Sequence, residues 1–255
     1  MIYSWKNLKF KTSNENVGSF YSICIQGAYD TILSDLRHED VVIDGGANIG
    51  VFSILASRIA KKVISVEPSR SNFVMLQHNI TLNNAKNVIP INAALTDKEG
   101  LVGFEGNGEV GHISDSGTEI RSTTIDSLAL NEVSVLKLDI EGAEPLALLK
   151  QRSLGHIRTI VFELDMTQYL KITNSLSGYP EAYTYESLLN VLQSNGFHLI
   201  MNPDNGALPW KRMLSRQAMA AEFKSGFLGF RYLVKRLFIR AQPQDRFSMV
   251  FAFRK

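Results

Sequence analysis

A glycine-rich stretch at residues 41–50, Val-Val-Ile-Asp-Gly-Gly-Ala-Asn-Ile-Gly, holds the residues best placed to do chemistry. Its apolar start and glycine-rich end indicate a strand, a tight loop and then a helix. Such a loop lets a ligand lie against bare backbone, and the helix that follows offers unpaired N–H groups at its first turn. Glu67 ends the next apolar run, and an acidic residue about 20 positions beyond a glycine loop can accept hydrogen bonds from both ribose hydroxyls. The spacing therefore predicts a nucleoside cofactor.

The order of residues within the loop separates the candidate cofactors. A dinucleotide loop has the pattern G-x-G-x-x-G, which seats a pyrophosphate at the start of the helix. Here Asp44 precedes the glycines, and its negative charge would repel a pyrophosphate but suit the ammonium group of an amino acid. S-adenosylmethionine (SAM) combines an amino acid, a sulfonium and an adenosine, and it has no phosphate. The loop therefore favours SAM over NAD.

A second acidic constellation follows the apolar run that begins at Val135. The run 135–144 reads Val-Leu-Lys-Leu-Asp-Ile-Glu-Gly-Ala-Glu. In open α/β sheets, ligands bind beyond the carboxyl ends of the strands. Five residues lie at or near the C-termini of predicted strands, so we expect them to converge on one edge of the sheet: Asp44, Glu67, Asn92, Asp139 and Glu163. Glu144 falls in the first turn of the next helix, where a helix-terminal role is favoured.

Two sets of candidate residues result. The predicted cofactor-binding residues are Asp44, Gly45, Gly46, Ala47, Asn48, Gly50, Glu67, Pro68, Asn92, Ala93 and Asp139. The predicted catalytic residues are Asp139, Glu141, His112 and Glu163.

Alternating strand-like and helix-like segments must position these residues. Strands are predicted near 41–45, 62–67, 88–94, 134–139, 158–164, 197–201 and 247–253, and helices near 49–60, 70–83, 142–150 and 183–195. Such alternation is typical of a parallel sheet with helices on both faces. Before it, residues 8–25 are predicted to form a small β element and 27–36 a short helix. The polar segment 95–122 is predicted to contain a strand at 101–105 and then a mobile loop over the site.

Length and composition limit the architecture. The chain has 255 residues, 45% of them hydrophobic and 20% charged, which suits one large α/β domain with additions. The single cysteine, Cys24, excludes an internal disulfide framework and cysteine-rich metal sites, and it is expected in a strand-like core position. No signal-peptide or membrane-spanning pattern is present, which predicts a cytoplasmic protein. The expected parts are an N-terminal β element and helix (1–40), a SAM-binding core (41–202), a basic helical insertion (203–246) and a final strand (247–255).

The motifs together resemble the FkbM-type SAM-dependent methyltransferases. The resemblance covers about residues 40–165 and rests on the stretches 43–50, 67–68, 87–95, 124–128 and 137–144. Gly45 stands where that family usually has an apolar residue. The resemblance implies a Rossmann-like, seven-stranded class I methyltransferase sheet, mostly parallel with an antiparallel last strand. It also implies methyl transfer to a hydroxyl of a sugar, glycolipid or secondary metabolite, with a small molecule, glycan or glycolipid as the acceptor.

Methyl transfer to a hydroxyl needs an aligned acceptor and a way to remove its proton. Asp139, Glu163 and Asp165 could gather Mg²⁺, which would lower the pKa of the hydroxyl. Alternatively, His112 in the glycine-rich segment could act as a general base. The residue pattern leaves both arrangements open.

Two other function classes compete with this interpretation. An RNA 2′-O-methyltransferase would use the same sheet, but no lysine is expected beside Asp139 to complete a lysine-based catalytic set, so nucleic acid is not the favoured partner. A non-catalytic interaction protein on the same fold is opposed by the intact loop and acidic residues.

The C-terminal part of the chain is strongly basic. Residues 205–255 hold 11 Lys and Arg against 2 Asp and Glu, whereas residues 1–204 hold 16 against 23. Apolar residues from Phe223 to Leu237 recur at helical spacing. We expect a helix that either packs on the domain or touches an anionic membrane through residues 209–240 at the periphery of the bilayer. A homodimer contact is a further alternative.

Overall fold

A seven-stranded sheet forms the centre of the computed structural model, which describes residues 1–106, 111–129, 132–202 and 248–254. The strands of the chain are β1 Ile2–Trp5, β2 Leu8–Lys11, β3 Val41–Gly45, β4 Lys62–Val66, β5 Val88–Ile91, β6 Ala94–Leu95, β7 Gly100–Glu105, β8 His112–Ile113, β9 Thr118–Thr123, β10 Val135–Leu138, β11 Thr159–Leu164, β12 His198–Asn202 and β13 Ser248–Phe253. The α-helices are α1 Val17–Phe20, α2 Asp30–Asp35, α3 Val51–Ala56, α4 Arg70–Leu82, α5 Ile125–Ala129, α6 Glu144–Leu148, α7 Met166–Ser175 and α8 Tyr185–Ser194.

The strand order of the central sheet is β12-β13-β11-β10-β3-β4-β5. Neighbouring strands run parallel except β13, which is antiparallel to both β11 and β12. The chain builds outward from β3 through β4 to β5 and then returns to place β10 on the other side of β3. The switch point therefore lies between β3 and β10, where ligands bind in sheets of this kind. The predicted class I methyltransferase sheet is confirmed.

Both faces of this sheet are buried, because its central strands are almost continuously apolar. On one face, Val42, Val63, Val135 and Val161 pack with residues of α3 and of the N-terminal part of the chain. On the other face, Ile43, Ile64, Leu136 and Ile160 pack with residues of α5, α6 and α8. The predicted covering of both faces by helices is thus observed.

The N-terminal unit, residues 1–40, differs from the prediction. Strands β1 and β2 form an antiparallel hairpin, but residues 17–25 of the predicted β element are helical: α1 continues into a π-helix at Tyr21–Gln26. The alternating apolar residues of this segment look strand-like in the sequence, yet they pack as an aromatic and aliphatic cluster around Phe20. Cys24 therefore lies buried in the π-helix and not in a strand.

A second, four-stranded sheet occupies the segment that the sequence predicts to be mostly a mobile loop. Its order is β6-β9-β7-β8, with β6 parallel to β9 and the other pairs antiparallel. Ile113 of this sheet packs with Leu146 of α6 and Ile172 of α7. The strand predicted at 88–94 is accordingly two strands, since Asn92 and Ala93 separate β5 from β6, which joins the second sheet.

Two helices are shorter than predicted: α3 covers six residues of 49–60, and α6 covers five residues of 142–150. The basic insertion at 203–246, including 209–240, lies outside the described residues, so the domain boundaries stay predictions. Within the described part of the chain, no helix is both long and apolar enough to cross a bilayer.

Candidate functional site

The loop between β3 and α3 is pressed against the end of β10. Gly46 has φ +69°, and a Cβ at this position would overlap the carbonyl oxygen of Asp139. The backbone N–H groups of Gly46 and Ala47 both donate to the carbonyl of Val66, at 2.9 and 3.0 Å. The loop is therefore tied to β4 on one side and lies against β10 on the other, and only glycine suits its turning point.

The remaining loop residues support this path. Gly50 has φ +86°, and a Cβ there would collide with Leu76 of α4. At Gly45 a Cβ would come within 2.6 Å of the side-chain ends of Leu138 and Leu95, so these two side chains would have to move. Asn48 has φ +51°, and its Oδ1 is buried without a hydrogen-bond partner among the described residues.

Glu67, at the end of β4, holds the loop through its carboxylate. Its Oε2 accepts from the N–H of Asn48 at 2.8 Å, and its Oε1 accepts from the N–H of Ser69 at 3.0 Å and from Asn72 Nδ2 at 3.3 Å. Burial raises the pKa of Glu67 to about 7, although these hydrogen bonds oppose the shift. The carboxyl group is thus poised to change its charge near neutral pH.

Asn92 and Pro68 lie beside Glu67. The side-chain Nδ2 of Asn92 donates to the backbone carbonyls of Glu67 at 2.8 Å and of Pro68 at 3.0 Å. Ala93 is buried in the core between the sheet and its covering helices. The structure therefore brings these predicted residues to the end of β4, where Asn92 fixes the backbone that carries Glu67.

Lys137 is a site residue that the sequence reasoning missed. Its ammonium group lies 2.9 Å from Asp44 Oδ1 and 3.9 Å from Asp139 Oδ2, and it donates to the carbonyl of Gly46 at 3.0 Å. The parallel register pairs Lys137 with Asp44 across β10 and β3. The signal was a lysine inside the otherwise apolar strand Val135–Leu138, where an unpaired charge would be costly.

The position of Lys137 corrects the expectation that no lysine lies beside Asp139. Residues two apart along a strand point to the same face, so Lys137 reaches the carboxylate that directly follows its strand. Lys137 is nevertheless 2% exposed and paired with Asp44. It is placed to hold the loop and not to meet a phosphate-bearing ligand.

Asp44 is fully buried. Its Oδ1 faces Lys137, and its Oδ2 accepts a hydrogen bond from Ser53, which also contacts Ser65. Both carboxylate oxygens are engaged by the protein. The predicted contact of Asp44 with an ammonium group stays a prediction.

Tyr29, at the start of α2, is the second residue that the sequence did not single out. Its hydroxyl donates to Asp139 Oδ2 at 3.0 Å, across 110 positions of the chain. Its ring also lies near the Lys137 ammonium, 5.4 Å from nitrogen to ring centroid. The N-terminal unit thus reaches the carboxylate at the end of β10.

Three carboxyl groups gather where β10 and β11 end. Asp139 has a side chain that is 33% exposed, and Glu141 and Glu163 are half-buried. Burial, with added repulsion from Asp139, raises the pKa of both glutamates to about 9. The raised pKa values favour the protonated form of both glutamates at neutral pH. The structure brings these three predicted catalytic residues together.

The predicted magnesium site is not supported. Asp165 serves as the N-cap of α7, where its Oδ1 accepts from the N–H groups of Thr167 and Gln168 at 2.8 and 3.1 Å. Within the ranges that the structure describes, no three His, Cys, Asp or Glu side chains are arranged to hold a metal ion. The described structure therefore gives no support for Asp139, Glu163 and Asp165 as the predicted ligand set.

His112 lies in the short strand β8 of the second sheet. It is paired in register with Glu105 of β7, and its Nε2 is 3.9 Å from the Glu105 carboxylate. The structure thus gives His112 a described partner within its own sheet. Its role as a base stays a prediction.

Glu144 is fully buried and braces the loop that carries Asp139. Its Oε1 accepts from the N–H of Ile140 at 3.0 Å, and its Oε2 accepts from the hydroxyl of Tyr185 at 2.6 Å. Burial raises its pKa to about 7. The helix-terminal role favoured for it agrees with these contacts.

Comparison with known proteins gives one family match and several distant structural likenesses. The family described as "Methyltransferase FkbM domain" matches residues 44–199, which is more than half of the chain. A methyltransferase FkbM from Methylobacillus flagellatus KT is 17% identical with a TM-score of 0.45, over 76% of this chain and 52% of that chain.

Two further structures illustrate the range. A Streptococcus mutans protein in complex with SAH is 10% identical with a TM-score of 0.49, over 91% of this chain and 97% of that one. An rRNA methylase from Streptococcus thermophilus is 8% identical with a TM-score of 0.47, over 89% and 94%. Comparison with curated proteins gave no match.

Proposed function

The chain belongs to the FkbM methyltransferase family, and from this premise we propose that it transfers a methyl group from SAM to a hydroxyl of a small-molecule, sugar or glycolipid acceptor. The main support for this proposal is the loop at 44–50. It lies between Glu67, at the end of β4, and Asp139, at the end of β10, and these strands pair with β3 on either side. Glu67 is bonded to its Asn48 N–H, and the Asp139 backbone lies against Gly46.

The groups around the loop suit a ligand that supplies hydrogen-bond donors. The Glu67 carboxylate is an acceptor, and the Asn48 Oδ1 is a buried acceptor without a partner in the described chain. Ribose hydroxyls and amines are donors, whereas a phosphate would bring only further acceptors and negative charge. This chemistry supports SAM over a dinucleotide, with Glu67 holding the ribose.

Asp44 and Lys137 support the glycine loop from inside the protein. The buried Lys137 donates to the carbonyls of Gly45 and Gly46 at 3.3 and 3.0 Å, so it fixes the loop against which the ligand lies. Asp44 supplies the charge that keeps Lys137 in place. We therefore assign Asp44 the support of the loop through Lys137.

SAM supplies an electrophilic methyl group on a sulfonium when it is bound. Asp139 would accept a hydrogen bond from the acceptor hydroxyl and take its proton as the oxygen attacks. Tyr29 orients the Asp139 carboxylate by donating to its Oδ2. The raised pKa values of Glu141 and Glu163 favour their protonated forms, so we assign to Asp139 the role of the carboxylate that receives the proton. His112 is the alternative base.

The acceptor class can be tested with SAM that carries a deuterated methyl group. The purified protein would be incubated with this SAM and, separately, with small-molecule, lipid and RNA fractions from cells. The proposal predicts a labelled product in the small-molecule or lipid fraction, with the label on an ether oxygen, and no such product from Asp139→Asn. Label found only in RNA nucleosides would replace the proposed acceptor with RNA.

The basic segment 209–240 lies outside the described residues, and we propose from its sequence that it contacts an anionic membrane. A glycolipid acceptor would suit an enzyme at the periphery of a membrane. Co-sedimentation with anionic vesicles should fall as salt rises and be lost when Lys235, Arg236 and Arg240 are changed to Glu. Equal binding to neutral vesicles would contradict an electrostatic contact.

A further inference from the structure

We propose that the N-terminal unit forms one wall of the cofactor site and that Asn16 is a direct cofactor ligand, its Oδ1 accepting a hydrogen bond from the nucleoside half of SAM. This inference rests on the proposed function and adds a binding residue that lies outside the matched region, residues 44–199.

Asn16 is connected to the predicted ribose carboxylate by two hydrogen bonds. Its Nδ2 donates to Asn72 Oδ1 at 3.0 Å, and Asn72 Nδ2 donates to Glu67 Oε1 at 3.3 Å. Asn72 belongs to α4 and Glu67 to the end of β4. Asn16 is therefore linked from the N-terminal unit to Glu67 through Asn72.

The amide oxygen of Asn16 lacks a hydrogen-bond donor within the described part of the protein. Asn16 is 3% exposed, and its Oδ1 is buried without a hydrogen-bond partner among the described residues. An asparagine before a helix commonly caps it, yet the Asn16 side chain makes no capping bond to α1. The side chain turns instead towards Asn72. A buried acceptor without a donor is costly, so a bound donor is the simplest reason for its placement.

Two such acceptors occur around one carboxylate. Asn48 contacts Glu67 Oε2 through its backbone, and its own Oδ1 is likewise buried and unpaired in the described chain. Asn48, bonded to Glu67 directly, and Asn16, bonded to it through Asn72, therefore each carry a buried acceptor that lacks a donor in the described chain. The hydroxyl groups of the ribose and the amino group of the adenine are the donors that the nucleoside half of SAM would bring.

Hydrogen bonds to α4 and its C-cap hold the N-terminal unit in place. The backbones of Lys9 and Lys11 in β2 exchange hydrogen bonds with the side chains of Asn83, the C-cap of α4, and of Asn79 in α4, at 2.7 to 2.9 Å. Helix α4 and its C-cap residue thus hold the hairpin by two asparagines, and a third asparagine of α4, Asn72, bonds to Asn16. The first two contacts attach the unit, and the third lies beside Glu67.

The test compares binding of S-adenosylhomocysteine (SAH), the product left after methyl transfer, to three proteins by calorimetry. Asn16→Ala should weaken binding roughly tenfold, the loss expected for one buried hydrogen bond to the ligand. Asn83→Ala is the matched control, because it also removes an asparagine that ties α4 to the N-terminal unit. It should bind SAH within about twofold of the unchanged protein.

Each outcome decides one claim. If the unchanged protein does not bind SAH, the proposed function fails and this inference fails with it. If that protein binds SAH and Asn16→Ala binds equally well, Asn16 is not a ligand. An equal loss in Asn16→Ala and Asn83→Ala shows that attachment of the unit, and not a contact from Asn16, is responsible.

A second ligand and a second variant extend the test. Methylthioadenosine, which has the nucleoside but no amino acid, should lose affinity for Asn16→Ala by the same factor as SAH. A loss for SAH alone would place Asn16 at the amino acid half and overturn the assignment. Should Asn16→Ala not fold, Asn16→Ser shortens the side chain and removes the amide oxygen, and the same comparisons apply.

Discussion

The ammonium group of Lys137 lies 2.9 Å from the carboxylate of Asp44, and both side chains are buried between the central sheet and the N-terminal unit. Parallel pairing of β10 with β3 places the two residues side by side. The same ammonium group binds the carbonyls of Gly45 and Gly46. One buried ion pair therefore joins the two strands at the switch point and holds the glycine loop.

Removal of Lys137 should be severe for folding. Lys137→Met leaves Asp44 as a buried charge without a counter-ion, which should lower the free energy of unfolding by about 3–5 kcal/mol. Lys62→Met is the control, since Lys62 forms a 3.1 Å ion pair with Glu132 in which the side chains are 31% and 65% exposed, and it should cost less than about 1 kcal/mol. Denaturant unfolding measures both. Equal costs for the two variants would contradict the structural role of Lys137.

The turn at Gly46 should be required for cofactor binding. Gly46→Ala puts a Cβ into the carbonyl of Asp139 at a φ of +69°, so the loop must shift and calorimetry should show SAH affinity lost by roughly 100-fold or more. Gly178→Ala has a similar φ of +75° but open space around the new Cβ. That variant should keep its SAH affinity. Normal binding by Gly46→Ala would show that the loop does not contact the ligand.

The raised pKa of Glu163 should make the ligand-free protein less stable as pH rises. Glu163 has its pKa raised to about 9 by burial and by Asp139, whereas the unfolded chain has a pKa near 4.3. Between these values the native state binds more protons than the unfolded state. The stabilisation that comes from the Glu163 proton is therefore greatest at the acidic end of this range and falls to zero near pH 9. Glu163→Gln removes this titration.

Thermal unfolding from pH 5 to pH 9 measures this effect without any acceptor. The melting temperature of the unchanged protein should fall by several degrees more than that of Glu163→Gln. Glu186→Gln, a change in the first turn of α8, should behave as the unchanged protein does. Parallel curves for Glu163→Gln and the unchanged protein would show that Glu163 does not hold a proton in the folded state.

The central sheet and its cofactor loop could be predicted because their signals are local. Apolar runs that end in Asp44, Glu67 and Asp139 define strands, their ends and the edge where they meet. Tyr29 could not be found in this way, because its contact with Asp139 spans 110 positions and depends on how the N-terminal unit packs.

The second sheet was missed for a different reason. Strands β6 and β8 have two residues each, which is too short to show a pattern of alternation. Gly103 and Gly117 resemble loop residues in the sequence, but in the structure each leaves room for close backbone packing within this sheet. Tertiary pairing decided the structure of this segment where local sequence preference did not.

The measurement that tests the central claim most directly is calorimetric titration with SAH as a function of pH. Glu67 must be ionised to accept hydrogen bonds from the ribose, and burial raises its pKa to about 7. Affinity should therefore fall about tenfold for each pH unit below 7 and level off above it. Glu67→Gln should bind weakly at every pH, by roughly 1–3 kcal/mol at pH 8, and should lose the pH dependence. A single SAH site whose affinity is unchanged in Glu67→Gln, or no SAH binding to the unchanged protein at any pH, would contradict the account.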